Sequence, residues 1–250
     1  MNPENKIRLL HIFPDLMNLY GDYANLAVLS RALAQMGAAA EIVKVSPGEE
    51  IPLSGAALAY IGPGTERRLE YALGWLAAYS DEFKAAADDG MPLMFWGNAA
   101  ELVCAEIRIG EKSLPALGLF EAYAVRTSTR QVGDILYKSD LSDALLAGYI
   151  NKSGFICTAE KPLFSAVFGP GGMIDKDGNE LPVEGLAKNN VIASYAIGPA
   201  LSRNPWLKKI IAARVFARAL PNLEPGEVKE DYSDAGYEVT VSELKKRASI

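Results

Sequence analysis

The first hundred residues alternate between short apolar runs and longer stretches whose apolar positions recur at helical spacing. "IRLLHIF" (7–13) is largely apolar and stops at Pro14, as a strand buried on both faces would. "NLAVLSRALAQMG" (25–37) carries apolar residues three and four apart and ends on Gly37, which predicts a helix. "AEIVKV" (40–45) alternates with period two, and "AALAYIG" (56–62) reads as a second buried strand closing in the tight turn "GPGTE". "RRLEYALGWLAAYSDEFKAAADDG" predicts one long helix with Gly90 as its stop. "MPLMFW" is the next strand and "NAAELVCAEI" the helix after it, with Gly97 at the corner between them. Such alternation predicts an α/β fold, a doubly wound and mostly parallel sheet flanked by helices, with sites at the carboxyl ends of strands.

The second half is richer in strand signals. "AYAVRTSTRQVGDILYKS" and "PLFSAVFGPGGMIDKDGNELPVEG" predict short strands joined by Gly, Asp and Asn turns, and "NNVIASYAIGP" a further strand. "NPWLKKIIAARVFARAL" (204–220) predicts an amphipathic helix, capped by Asn204 and begun by Pro205. Beyond Pro221 the chain turns charged and poor in apolar residues, with a short helix expected at 241–248. The expected organisation is one domain over 1–220 and a charged C-terminal tail over 221–250, mobile or docked on a partner.

Composition narrows the function classes. The net charge of −6 and pI near 5.0 argue against nucleic acid, since no basic run exceeds the terminal "KKR". Cys104 and Cys157 lack CxxC spacing and make neither a zinc site nor a disulfide framework. The start "MNPENKIRLLHIF" lacks the plan of a secretory leader, and no run approaches a membrane span, so a cytoplasmic protein is expected. The sequon "NKS" at 151–153 then reads as chance.

No GxxxxGK[ST] or GxGxxG loop is present, and "GPG" (62–64) and "GPGG" (169–172) read as tight turns. His11, the one imidazole, lies inside the first predicted strand and reads as structural. Cys104 and Cys157 read as inert packed thiols. No metal site or cofactor is expected. Periodicity and spacing alone thus describe an α/β protein without visible catalytic machinery.

The order of the motifs is more specific than any one of them. "FPDLMNLYGDYANLAVLSRAL", "IGPGTERRLEYAL", a corner after "PLMF" and "IASYAIGPALSRNPWL" follow one another from about Ile7 to Leu220. In this the chain resembles the GatD-type glutaminase subunits of lipid II isoglutaminyl synthase, within the cobyric-acid-synthase-like (CobB/CobQ-type) class I glutamine amidotransferases. The resemblance implies a doubly wound fold and a site at strand ends. Its elbow reads Cys-Gly-Gly-Tyr-Gln, the cysteine attacking the side-chain amide of glutamine while backbone N–H groups of the elbow and the glycine loop stabilise the oxyanion. Set against that pattern, Trp96 stands at the cysteine and Asn98 at the second glycine. Ile197 replaces the histidine of Tyr-x-His-Gly-Pro, and Lys152 the histidine of Glu-Asn-His. These three, Trp96, Ile197 and Lys152, are the vestigial catalytic positions. Gly62, Gly64, Glu66, Gly97, Asn98 and Arg130 are the expected remnant of the substrate pocket.

Indole forms no thioester and an isoleucine moves no proton, so the expectation is a silent glutaminase-like subunit pairing with a Mur-ligase-like partner. A small-molecule sensor is the alternative, holding glutamine or a related molecule with Arg130 on its carboxylate and Trp96 as pocket floor or plain core filling. A third reading keeps unrelated enzyme chemistry on Asp15, Asp22 or Glu66, although Asp22 in "YGDYAN" also suits a loop brace.

Overall fold

The computed structural model describes residues 5–250. The first four residues, on which the reading of the leader partly rests, lie outside the described residues. Strands β1 (Lys6–Ile12), β2 (Ala39–Val45), β3 (Leu58–Ile61) and β4 (Leu93–Trp96) alternate with α1 (Ala24–Gln35), α2 (Glu66–Leu76) and α3 (Ser80–Asp88). A small hairpin, β5 (Glu106–Ile109) and β6 (Lys112–Pro115), leads into two long strands, β7 (Ala122–Ser139) and β8 (Ser142–Thr158). Then come β9 (Pro162–Phe168), β10 (Met173–Ile174), β11 (Glu180–Leu181), β12 (Val183–Lys188), β13 (Val191–Ser194) and β14 (Ala196–Ile197). Helices α4 (Ala200–Arg203), α5 (Pro205–Ala219) and α6 (Tyr232–Ala248) complete the chain.

The main sheet runs β11-β10-β8-β7-β9-β12-β13-β4-β3-β1-β2. Its core, β2-β1-β3-β4-β13, is parallel. From β13 through β12, β9 and β7 to β8 every neighbouring pair is antiparallel, so the second-half strands extend the parallel core into a mixed sheet. β3 and β4 are buried at every residue, which explains why they read as unbroken apolar runs. From β1 the chain crosses outward to β2, and from β3 it crosses the other way to β4. Right-handed crossovers in opposite directions put α1 and the α2–α3 pair on opposite faces. The switch point between β1 and β3 therefore opens a crevice at their carboxyl ends.

Four local expectations change. The long helix is broken at Tyr79, whose φ of −109° and ψ of 11° leave the helical basin before α3 begins at Ser80. Residues 97–103 form 3-10 turns instead of an α-helix. The carbonyls of Leu102, Val103 and Cys104 accept from the amides of Leu117, Leu119 and Gly118 at 2.8–3.0 Å, so they are taken by a neighbouring loop. Asn204 sits at the start of α5 without capping it; its Oδ1 accepts from the Ala147 amide at 2.8 Å and its Nδ2 donates to the Ala147 carbonyl at 2.9 Å. The stretch 122–139, expected as short strands, is the single 18-residue β7, paired with the 17-residue β8 that follows it, whereas β9 to β12 are short as expected.

The tail differs too. α6 has 17 residues and a capping box, Asp231 accepting from the Ser233 amide and Asp234 from the Asp231 amide. Val241 and Leu244 pack on Leu136 and Ala147 of the long hairpin, and Arg247 reaches Asp134 at 2.5 Å. The segment thus docks on its own domain. Two buried apolar residues in a helix otherwise facing water are too faint a pattern to read in sequence.

Candidate active site

β4 ends at Trp96 in extended conformation, φ −111° and ψ 152°, and the chain turns sharply at Gly97, φ +62°. Left-handed backbone at a strand-to-helix corner is the geometry of a nucleophile elbow, and here glycine occupies it. A Cβ built on Gly97 would lie 2.5 Å from Pro63 Cβ and 3.0 Å from Ile197 Cγ2. Gly97 and Ile197 therefore face each other across the corner. Trp96 does not share this place: it is the last strand residue, fully buried, and its indole N–H has no partner. The left-handed place of the corner belongs to Gly97, and Trp96, which the resemblance sets at the family's cysteine, lies one residue before it in the strand. Trp96 is buried in the core, whereas a side chain on Gly97 would press on Pro63 and Ile197.

Asn98 follows and acts through its amide. Its Oδ1 accepts from the Gly64 N–H and its Nδ2 donates to the Gly64 carbonyl, both at 2.9 Å. This two-point pairing bolts the corner to the glycine loop and occupies a backbone donor that would otherwise face the crevice. Above it lies a cavity of about 210 Å³, lined by Leu19, Tyr20, Glu66, Asn98, Arg130 and Asn151 among others, with Gly64 and Ile197 at its base. Gly62, Gly97, Trp96 and Lys152 are not on its wall.

Arg130 ion-pairs with Glu66 at the cavity, and its Nη1 donates to Asn151 Oδ1 at 2.9 Å. Asn151 Nδ2 donates to the Tyr20 hydroxyl at 3.0 Å, and the Ser153 hydroxyl donates to Glu66 at 2.9 Å. Partial burial pushes the Glu66 carboxyl up, but its own backbone amide, Arg130 and Ser153 outweigh this and hold it below the usual range. The site so offers one carboxylate and one guanidinium, already paired, and the structure brings together the predicted Gly64, Glu66, Asn98 and Arg130. Tyr20 and Asn151 went unread as site residues. Their signal lay in the quoted "YGDYAN" and "NKS" strings, the asparagine of the latter standing where the resemblance has that of Glu-Asn-His.

The "PDLMNLYGDYAN" string forms a brace. The Tyr60 hydroxyl donates to Asp22, and Asn25 Nδ2 donates to Asp22 at 3.0 Å and to Tyr60 at 2.7 Å. Asn25 Oδ1 accepts from the Leu201 amide at 2.8 Å, tying α1 to α4. A Cβ on Gly62 would strike Asp22 and one on Gly64 would strike Met17, so both glycines exist for this close approach. Burial raises the Asp22 carboxyl to about 7, with the Tyr60 and Asn25 hydrogen bonds opposing.

Lys152 lies in a second, internal polar cluster. Its ammonium donates to the Gly154 carbonyl at 3.0 Å and stands 3.2 Å over the Phe155 ring. Burial lowers it to about 7, with Glu180, Glu184 and Glu101 opposing. Glu184 accepts from the Ser194 hydroxyl at 2.8 Å and the Tyr195 amide at 2.7 Å, and burial raises it to about 7. Glu101 is fully buried on Arg126 at 2.9 Å, and Arg126 also holds Glu70 at 2.6 Å.

His11 is buried edge-on to Tyr60, at 5.7 Å between ring centroids, and burial, then Lys44, lowers it to about 4. It is neutral at pH 7 and away from the cavity wall. Cys104 and Cys157 are buried free thiols, and burial pushes Cys104 far above the ordinary range. Asp15 accepts from the Ser46 hydroxyl at 3.1 Å and does not line the cavity. Among the described residues no group of His, Cys, Asp and Glu is placed to hold a metal, and no helix is long and apolar enough to cross a membrane.

No protein-family profile matches the chain. Lipid II isoglutaminyl synthase (glutamine-hydrolyzing) subunit GatD of Streptococcus pneumoniae is 27% identical over 242 residues, covering 92% of this chain and 91% of that protein. The subunit of the same name from Staphylococcus aureus is 24% identical over 244 residues, covering 97% and 98%. Among solved structures, the glutaminase domain of Trypanosoma brucei CTPS with bound acivicin superposes with a TM-score of 0.55 at 10% identity, covering 90% of this chain and 98% of that one. That likeness bears on the fold alone, an α/β architecture with a parallel core. The two relatives aligned almost end to end mark this chain as a class I glutamine amidotransferase-like protein, distantly related to the GatD subunit of lipid II isoglutaminyl synthase.

Proposed function

We propose that this chain is a catalytically silent glutaminase-like subunit, acting in the cytoplasm with a Mur-ligase-like partner in lipid II amidation or a related amide-forming pathway. The observation that carries the reading is the contact of Gly97 with Ile197: the elbow residue has no side chain and the residue facing it has no proton to move. Gly97, not Trp96, takes the nucleophile's place in this reading, and Glu101 stands where the elbow string has glutamine. Asn98 adds a further obstacle, because the Gly64 N–H it occupies is a donor the oxyanion would need. Losing nucleophile and base together leaves little for an oxyanion hole to accelerate even when that hole is open. The partner reading rests on the relatives, each named as one subunit of a synthase. The purified chain, assayed for ammonia release from glutamine with and without a co-purified ligase, is expected to release none above background; hydrolysis that tracks the protein through purification would overturn the reading.

A second reading is favoured by the cavity. A zwitterionic amino acid could exchange with the Glu66–Arg130 pair, its ammonium on Glu66 and its carboxylate on Arg130. Calorimetric titration with glutamine, glutamate and peptidoglycan peptides tests it: saturable heat that Arg130→Ala abolishes supports a binding role, and no heat removes it.

A further inference from the structure

The buried stripe of α5 is apolar except at Lys208. Pro205, Ala212 and Val215 face the core, and Lys208 stands in line with them, 3% exposed. Its ammonium donates to Asp231 Oδ2 at 3.3 Å and to the Ser233 hydroxyl at 3.2 Å. Both contacts are long for charge-assisted bonds, and an ammonium has three N–H donors to place. Among the described residues no third acceptor meets it. The side chain ends at a cavity of about 210 Å³ enclosed by α1, α5 and the strap 221–230. Val28, Ala32 and Val228 form the apolar wall, and the exposed Arg31 completes the lining. Among the described residues Arg31 has no ion-pair partner.

The strap that closes this cavity is held in place. The Gly226 N–H donates to the Met36 carbonyl at 3.1 Å, so close that a Cβ on Gly226 would lie 2.6 Å from the Gln35 carbonyl oxygen. Val228 packs on the core, and Asp231 caps α6. No residue of the wall is shared with the Glu66–Arg130 cavity. We propose that this second cavity binds a small monocarboxylate with a short apolar arm, the carboxylate between Lys208 and Arg31 and the arm on Val28, Ala32 and Val228. Two cations against one Asp231 leave the site one positive charge, which a single carboxylate neutralises. A dianionic phosphate overshoots that charge and meets Asp231 as a like charge. The guanidinium fork suits a carboxylate, and the unspent donor of Lys208 adds a second point of attachment. The volume lies below the roughly 300–1,000 Å³ of pockets for drug-sized ligands, which keeps the arm short. The proposal does not rest on the silent-subunit reading, and either can fail alone.

Calorimetric titration of the full chain with butyrate tests it, with saturable heat expected at a dissociation constant of about 1 mM or below. Butyramide, of the same shape without the charge, is expected to give no saturable heat, and inorganic phosphate to bind more weakly than butyrate. Arg31→Ala is expected to weaken butyrate about tenfold or more, and Val28→Phe, which fills the cavity, to abolish its binding. Neither position is fully buried, and unchanged circular dichroism verifies that each variant folds. No saturable heat with butyrate, butyramide binding as well as butyrate, phosphate binding more tightly, or butyrate binding indifferent to Arg31→Ala and Val28→Phe would each overturn the proposal. Heat that Arg130→Ala removes instead would overturn it too, by assigning the ligand to the other cavity.

Discussion

At the scale of single residues, the corner is defined by what its backbone and neighbours exclude. Gly97 is left-handed and pressed by Pro63, so Gly97→Ala is expected to cost about 2–4 kcal/mol, combining the left-handed penalty with overpacking. Urea unfolding measures it. Asn98 is 9% exposed and makes two hydrogen bonds to Gly64, so Asn98→Ala is expected to cost about 1–3 kcal/mol by leaving the Gly64 amide and carbonyl unpaired. Restoring chemistry by Gly97→Cys with Ile197→His is expected to yield no glutamine hydrolysis in a coupled ammonia assay. The new side chain at 97 meets Pro63, and Asn98 still holds the Gly64 N–H. The corner at Gly97 was legible in the sequence; that Trp96, set by the resemblance at the family's cysteine, is buried while the left-handed φ falls on Gly97 was not, since the two are adjacent letters and only φ distinguishes them.

At the scale of elements, strands and helices that bury a full face were readable and those shaped by neighbours were not. β1, β3, β4 and α1 fall where their periodicity put them, because burial dictates their residues. The helix expected through 107 ends at Val103, where a loop takes the carbonyls of Leu102, Val103 and Cys104, a partner about fifteen residues downstream that no local window contains. α6 is held by little apolar contact. Leu244→Ala is expected to cost about 2 kcal/mol, at the low end for a buried leucine, and to raise hydrogen exchange across 232–248 selectively. Arg247→Ala, an exposed pair with Asp134, should cost no more than about 1 kcal/mol.

At the scale of the whole molecule, buried ionisable groups give stability a pH dependence. Burial raises Asp22 from 3.8 to about 7, so the folded chain keeps a proton that the unfolded chain releases. The contribution is complete below about pH 4 and is lost as pH rises through about 7. Glu184 acts in the same direction, while His11, lowered to about 4, opposes it by losing stability as pH falls below its ordinary 6.5. Asp22→Asn is therefore expected to flatten the fall between these limits, its deficit against wild type shrinking from about pH 4 to about pH 8 in urea titrations. A deficit that is constant with pH would mean that Asp22 is ionised throughout.

The chain by itself determined the α/β class, the parallel core and the net negative charge without a long basic run. These depend on residue type and short-range periodicity, which burial on a sheet imposes directly. Tertiary structure alone decided that the left-handed φ falls on Gly97 with Trp96 buried before it, that Asn98 bolts the glycine loop, and that Lys152 sits away from the cavity near the buried Glu101 and Glu184. It also decided that α6 folds back on its own domain. Each depends on distances between segments far apart in the chain, or on the sign of one backbone angle, and neither is written in the order of residues.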